Sequence, residues 1–380
     1  MSTKLTTIHE TMTRSDTLPF STGLVEEKSE TYGWILHPVI DLMFCCGGLV
    51  WILYFACGAL GLRSGTSSPQ SFALWALWII GVHCFSNAHS TASWQRVFFD
   101  KDVMQKSGRY IALCTAVCLA LIPCCLFNAE AAGCVVRVYL FILVKHFVMQ
   151  SYGVVSIYCM KRNYKLSVNE RKIVQSVFHA MLWYVVARML TYPFYAGTEF
   201  FHVALPTIQL IPEWLFNIVQ AGMIACVLTF VGMVIRRYVK TKELFPLPAL
   251  FLIVSTVGIY FMQVTTEPTF GILLAAYYHG SQNLAVIFAY EMKKKGLPEN
   301  LPASRIASQL LTRTNGKYFL ILITIGIALY VVIPRVLCTG FGINFDLATL
   351  TALTIFGSHH ILTESVAWRL RDPKVRQLLI

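Results

Sequence analysis

Residues 133–160 read GCVVRVYLFILVKHFVMQSYGVVSIYCM, an apolar stretch whose basic groups are Arg137, Lys145 and His146 and which holds no acidic one. A helix rises about 1.5 Å per residue and a bilayer's hydrocarbon is roughly 30 Å thick, so this stretch is long enough to span it. Read as a membrane helix, it sets the class of the whole chain, because nine more segments of the same character flank it. The ten lie at about 38–60, 72–94, 110–128, 133–160, 173–196, 214–235, 247–264, 269–291, 317–335 and 346–368. Composition agrees. The 380 residues are 56% hydrophobic and 13% charged, with mean hydropathy +0.61, against about 25% charged in soluble domains. The expected fold is an all-α polytopic transmembrane bundle.

Charge orients the bundle. The net charge of +12 suggests nucleic acid until the charges are placed, and no DNA- or RNA-binding motif accompanies them. With the N-terminus cytoplasmic, the cytoplasmic segments hold 26 of the 31 Lys and Arg. The outer loops hold Arg63 and Arg335, and Arg137, Lys145 and Arg188 fall within spans. Such asymmetry follows the positive-inside rule and predicts both termini inside. Residues 1–33 read as a disordered cytoplasmic leader, since no basic stretch precedes an apolar core as in a signal peptide. Residues 34–370 read as one transmembrane domain and 371–380 as a cytoplasmic tail. The segment 197–213, with His202, reads as an interfacial or re-entrant piece. Most of the twelve cysteines lie in apolar runs, where cysteine packs as a small hydrophobe; Cys338 is expected in a loop.

Four spans repeat one pattern: His83-x3-Asn87, His146-x3-Gln150, His279-x3-Asn283 and His359-His360-x3-Glu364. Residues four apart share a helix face, and ionisable groups within the membrane mark function by default. Counted back from the cytoplasmic charges, these histidines sit roughly 15–22 Å deep at about 1.5 Å per residue. The i+4 groups and His89 form a layer one turn closer to the cytoplasm. Neutral imidazole is the commonest protein ligand for transition metals, and an amide or carboxylate one turn on can ligate or fix the tautomer. The expected ligands are His89, His146, His279 and His360, with His83 and His359 next. Glu364 is the first candidate for a carboxylate ligand or general base and Asp41 the second. Asn87, Gln150, Asn283 and Tyr278 are expected to support the cofactor. Lys145, deep beside His146, is expected to pair with Asp41 or Glu364 or to bind an anionic substrate. The polar run Ser86–Arg96 is a candidate lining for a cytoplasmic entry path.

Three stretches carry a resemblance: Asn87-Ala88-His89 running to Asp100, Lys145-His146 to Tyr152-Gly153, and His359-His360 through Trp368-Arg369 to Asp372-Pro373. They are similar to a broad set of uncharacterised His-rich polytopic bacterial membrane proteins, cover about a quarter of the chain, and imply no activity. The polytopic layout with single histidines on several spans also resembles the Brp/Blh-type carotenoid-cleaving membrane dioxygenases. That resemblance implies a histidine-bound iron and an apolar substrate, although no His-x3-His pair lies within one helix here. The HxxHH boxes of membrane desaturases are absent, and Tyr278-His279-Gly280 is similar to the His-Gly of membrane-bound O-acyltransferases.

These readings converge on an inner-membrane, metal-dependent oxidoreductase or oxygenase. Iron is the first choice of metal, copper or zinc are alternatives, and bis-His haem ligation stays open. Its partners would be membrane lipids, a lipid-soluble small molecule and an electron-donor protein. Two other classes remain. A proton-coupled transporter would use the same His, Lys and carboxylate groups as a relay. A metal-free acyltransferase would use His279 as its base.

Overall fold

A computed structural model describes residues 33–59, 80–192, 199–200, 202–265, 268–296, 303–310 and 312–380. The leader, expected at 1–33, lies almost wholly outside the described residues. The protein is all-α, apart from one two-residue β ladder. Its elements are α1 (Pro38–Cys45), α2 (Gly48–Ala59), α3 (Ala88–Phe99), α4 (Lys101–Phe127), α5 (Ala129–Lys161), α6 (Val168–Thr191), α7 (Glu213–Thr241), α8 (Leu247–Thr265), α9 (Pro268–Lys294), α10 (Ala303–Leu310), α11 (Arg313–Phe341), α12 (Phe345–Ala367) and α13 (Pro373–Leu379).

The described parts of nine of the ten apolar segments each fall on one helix, the second being described only from Ile80 onward, and the first falls on two. By length and composition, five of the described helices are long and apolar enough to cross a membrane: α4, α5, α6, α7 and α11. The pair α1–α2 would make a sixth if its bend of 59° interrupts one span. These helices fit a multi-pass membrane protein.

Local sequence explains most boundaries. An N-cap side chain satisfies one of the free N–H groups of a helix's first turn. Asp100 accepts from Asp102 N (3.0 Å), Asn128 from Ala131 N (3.0 Å) and Asn344 from Leu347 N (3.0 Å). Ser167 and Glu170 form a reciprocal capping box at the start of α6. Inside α11, Ala328–Val332 widens to a π-helical turn just before Pro334, whose ring forbids the usual i−4 bond. That helix runs on to Phe341 and places Cys338 in a helix rather than the expected loop, because Gly342 (φ +69°) supplies its left-handed stop.

The first apolar segment is broken, not continuous. Gly47, at φ +87°, separates α1 from α2, and a Cβ there would lie 3.0 Å from Ser255 and 3.1 Å from the Tyr278 ring. A break inside a bundle frees carbonyls that must find donors. Here Ser281 Oγ donates to Phe44 O (3.2 Å), Gln282 Nε2 to Cys45 O (3.0 Å) and Ser255 Oγ to Cys46 O (2.6 Å).

The segment after α6 holds a hairpin, β1 (Glu199–Phe200) paired antiparallel with β2 (Val203–Ala204). His202 sits exposed at its tip with φ +53°. Buried Arg137 donates from Nε to Pro206 O (2.9 Å), tying this segment to α5. Within the expected tail, 371–380, α13 docks on the rest of the chain through buried Val375 and Leu379. Lys106–Asp372 (2.7 Å) and Lys374–Asp102 (2.9 Å) ion pairs join α13 and the turn before it to α4.

Candidate metal centre

Four helices each deliver one imidazole to a single point in the bundle. His89 comes from α3, His146 from α5, His279 from α9 and His360 from α12. One nitrogen of each lies within 4.8 Å of the others. His89 Nε2 is 3.0 Å from His360 Nε2 and 3.1 Å from His279 Nε2. His89, His279 and His360 are buried, and His146 is nearly so.

The way the chain folds here is specific. A π-helical stretch, Val82–Asn87, precedes α3; such wide turns recur at functional sites. Gly280 lets α9 press against that stretch: a Cβ would lie 2.8 Å from Phe85 C and 2.9 Å from Ser86 N. His279 thereby reaches His89. The His279 ring stacks on Phe147, with centroids 4.0 Å apart, which fixes its plane.

Hydrogen bonding defines what the nitrogens can do. His89 Nδ1 is 3.2 Å from Phe85 O, and a carbonyl only accepts, so Nδ1 carries the proton. In the neutral ring Nε2 is then a lone pair facing two other ring nitrogens, and it can accept from only one of them. A cation between the rings removes that conflict. Metal ligands about 2.1 Å from an ion stand about 3.0 Å apart at right angles and about 3.4 Å apart in a tetrahedron. The two separations from His89 Nε2 fall at the first spacing.

Glu364, on α12, completes the constellation. Its Oε2 is 3.0 Å from His146 Nε2 and 3.3 Å from His360 Nε2. The 3.0 Å approach is not aligned as a hydrogen bond, so His146 Nε2 and Glu364 Oε2 are both buried without one. Such geometry suits two donors to a common ion better than a donor–acceptor pair. Oε1 points the other way and accepts from Ser93 Oγ (3.1 Å) and Asn283 Nδ2 (2.5 Å). The same Asn283 amide lies 2.7 Å from Gln150 Oε1. Gln150 in turn donates to His279 O (3.1 Å) and Gln282 Oε1 (3.1 Å). The four-histidine group, backed by this network, could bind a metal ion.

Other expected residues lie elsewhere. His83 Nδ1 pairs with its own i+4 partner, Asn87 Nδ2, at 3.0 Å. His359 Nε2 lies 2.9 Å from Thr115 Oγ1, and its ring stacks on Phe98. Asp41 is fully buried and spends its carboxylate on Ile35 N (2.6 Å), Leu36 N (3.1 Å), His37 N (3.3 Å) and Tyr158 OH (2.9 Å), which makes it a helix-start anchor. Tyr278 OH donates to Leu252 O (3.2 Å) and lies 3.0 Å from Thr256 Oγ1. Lys145 forms no ion pair with Asp41, Glu364 or another described residue. Within the polar run, Ser90 and Thr91 bond back to Ser86 O and Asn87 O, and buried Arg96 lies over the Tyr290 and Trp368 rings. Reading the sequence missed Ser93 and Gln282. Ser93 stands four residues after His89 inside the polar run, and Gln282 three after His279 beside Asn283.

A cavity of about 440 Å³ opens against this cluster. His146, Glu364, Gln150 and Asn283 line one side, and apolar groups such as Met149, Val154 and Ile361 line most of the rest. No protein-family model, curated protein or solved structure matches the chain.

Proposed function

We propose that the protein is a multi-pass membrane oxidoreductase, with a transition metal held by His89, His146, His279 and His360 and acting on a hydrophobic substrate. The observation that carries this reading is the joint geometry of the cluster. Four imidazoles, three buried and one nearly so, meet a carboxylate, with one edge open to an apolar cavity of ligand size. Iron is the proposed metal, and it would supply redox chemistry, activating dioxygen against a substrate dissolved in the bilayer.

The chain's own residues would do the rest. The His89 Nδ1 contact with Phe85 O holds the tautomer that leaves Nε2 free to ligate. Ser93 and Asn283 pin Glu364 Oε1, leaving Oε2 to complete the ligand set or to move a proton. The apolar cavity walls exclude water beside that oxygen. An electron-donor protein would supply reducing equivalents from the cytoplasm.

The proposed topology is ten spans with both termini inside, in a bacterial-type inner membrane. It rests on the helix at every apolar segment and on the placement of 26 of 31 basic residues. On that reading the α3, α5, α9 and α12 histidines sit in the mid-to-cytoplasmic half.

The test is elemental analysis of detergent-purified protein beside the His146→Ala, His279→Ala double variant. We expect about one iron per chain in the parent protein and loss of it in the variant, with helicity retained. Metal-free parent protein, after reconstitution in medium with iron, would sink the reading.

A further inference from the structure

The cavity beside the cluster is not a simple apolar hole. It follows one face of α5 from Ile142 through His146, Met149 and Gly153 to Ile157. Fifteen helical steps of about 1.5 Å make it roughly 22 Å long, longer than the apolar half of a bilayer at about 15 Å. The opposite wall is α12, and the rim is exposed at Tyr110, Lys145 and Ser365. A slot with a rim of this kind admits a molecule sideways, from between α4, α5 and α12.

Lys145 is the one cation among the cavity's lining residues. It is also the midpoint of α5, sixteen residues from Ala129 and sixteen from Lys161. That places its Cα about 24 Å from either end of the helix. A lysine can snorkel only near a span's ends. An unpaired ammonium at this depth costs a few kcal/mol in hydrocarbon, and no described side chain offsets it. A ligand anion entering the slot would offset that cost. Bilayer phospholipids keep their phosphates at the surface, out of reach. A single-chain carboxylic acid can enter the hydrocarbon in its neutral, protonated form, which an ionised phosphodiester cannot do.

We propose that the slot binds an extended lipid acid, with its carboxylate on Lys145 and its chain running along α5 past Gly153 toward Ile157. Since Lys145 and His146 are neighbours, the carbons nearest the carboxyl lie against the cluster and Glu364. This deepens the oxidoreductase reading and rests on it for the site's chemistry, though not for binding. Gly153 sets the width of the slot: a Cβ there would meet nothing within 4 Å.

The test is equilibrium binding of oleic acid, oleyl alcohol and methyl oleate to the full chain in detergent, with metal content measured on every sample. We expect the acid to bind at least tenfold more tightly than the alcohol or the ester. Lys145→Met should erase that preference and leave alcohol binding unchanged. Gly153→Phe, which grows into open space, should weaken all three ligands at least tenfold while metal content holds. Equal binding of acid and alcohol by the parent protein overturns the proposal, as does an acid preference that survives Lys145→Met. So does full-strength binding to Gly153→Phe. Metal-bearing protein with no acid preference removes this inference alone. Acid-selective protein without metal leaves the lipid-acid site standing and removes the oxidoreductase reading.

Discussion

Replacing Glu364 with Gln should separate metal binding from apo stability, moving the two in opposite directions. The oxygen that accepts from Ser93 and Asn283 has an equivalent in the amide, so Gln should keep that side. Its NH₂ then falls where Oε2 stood, 3.0 Å from His146 Nε2 and 3.3 Å from His360 Nε2. A metal loses a negative donor there, and changes at such supporting groups cost about 10–100-fold in affinity. The new amide-to-imidazole hydrogen bond must also be broken before metal enters, at about 1 kcal/mol or roughly fivefold. Together the loss is on the order of 10²-fold. The apo protein moves the other way, because a buried carboxylate without full hydrogen bonding has been removed. The assay is a chelator-competition titration of detergent-purified protein, paired with thermal melts with and without metal. Bound metal should raise the parent's melting point by more than the variant's, since the increment follows the ratio of free metal to Kd. An affinity within threefold of the parent's, or an apo variant that melts lower, would refute the ligand geometry argued for Glu364.

Other outcomes follow from single contacts. His83→Ala and His359→Ala should keep full metal content, because those rings pair with Asn87 and Thr115; each should cost about 1 kcal/mol for one hydrogen bond, read by metal analysis and by melting. Gly280→Val should destabilise by about 1–3 kcal/mol, the usual cost of overpacking, because the added atoms meet the backbone of Phe85 and Ser86; a spectroscopic metal titration should show a weakened site. The Lys106 ammonium, hydrogen-bonded to Asp372, holds that carboxyl below its ordinary range. A lowered folded pKa contributes stability above the unfolded value of about 3.9 and loses it as pH falls through the folded value. The protection factors of the Val375–Leu379 amides should therefore fall below about pH 4, ahead of those in α5.

The pattern of a histidine with a polar partner one turn on was legible because it needs only helical periodicity. That was enough to bring His146, His279 and His360 forward, and His89 joined them by its depth, in the layer one turn closer to the cytoplasm. Periodicity alone could not say which of His359 and His360 faces inward. Adjacent residues differ by about 100° on a helix, and the direction of the neighbouring helices decides. Nor could it show that Asn87 serves His83 and not the cluster. The π-helical turn Val82–Asn87 changes the helix phase just before His89, and the sequence offers no obvious mark for it. The break at Gly47 was hidden for a related reason. Cys45, Cys46, Gly47 and Gly48 are apolar or neutral and read as continuous membrane helix. Only the donors arriving from Ser255, Ser281 and Gln282 make an interruption affordable there.

His89 and His360 are neighbours in space and 271 residues apart in the chain. On the proposed topology, three of the four imidazoles enter the membrane before α12 emerges, and the fourth and Glu364 arrive only with that helix. A chain stopped earlier carries an incomplete ligand set facing an open slot. Metal capture at this centre would then act as a molecular receipt for complete insertion, closing a loop of 271 residues and locking α12 against α3. Cells starved of the metal would be expected to accumulate full-length chains in which α12 is the helix most readily lost to proteolysis.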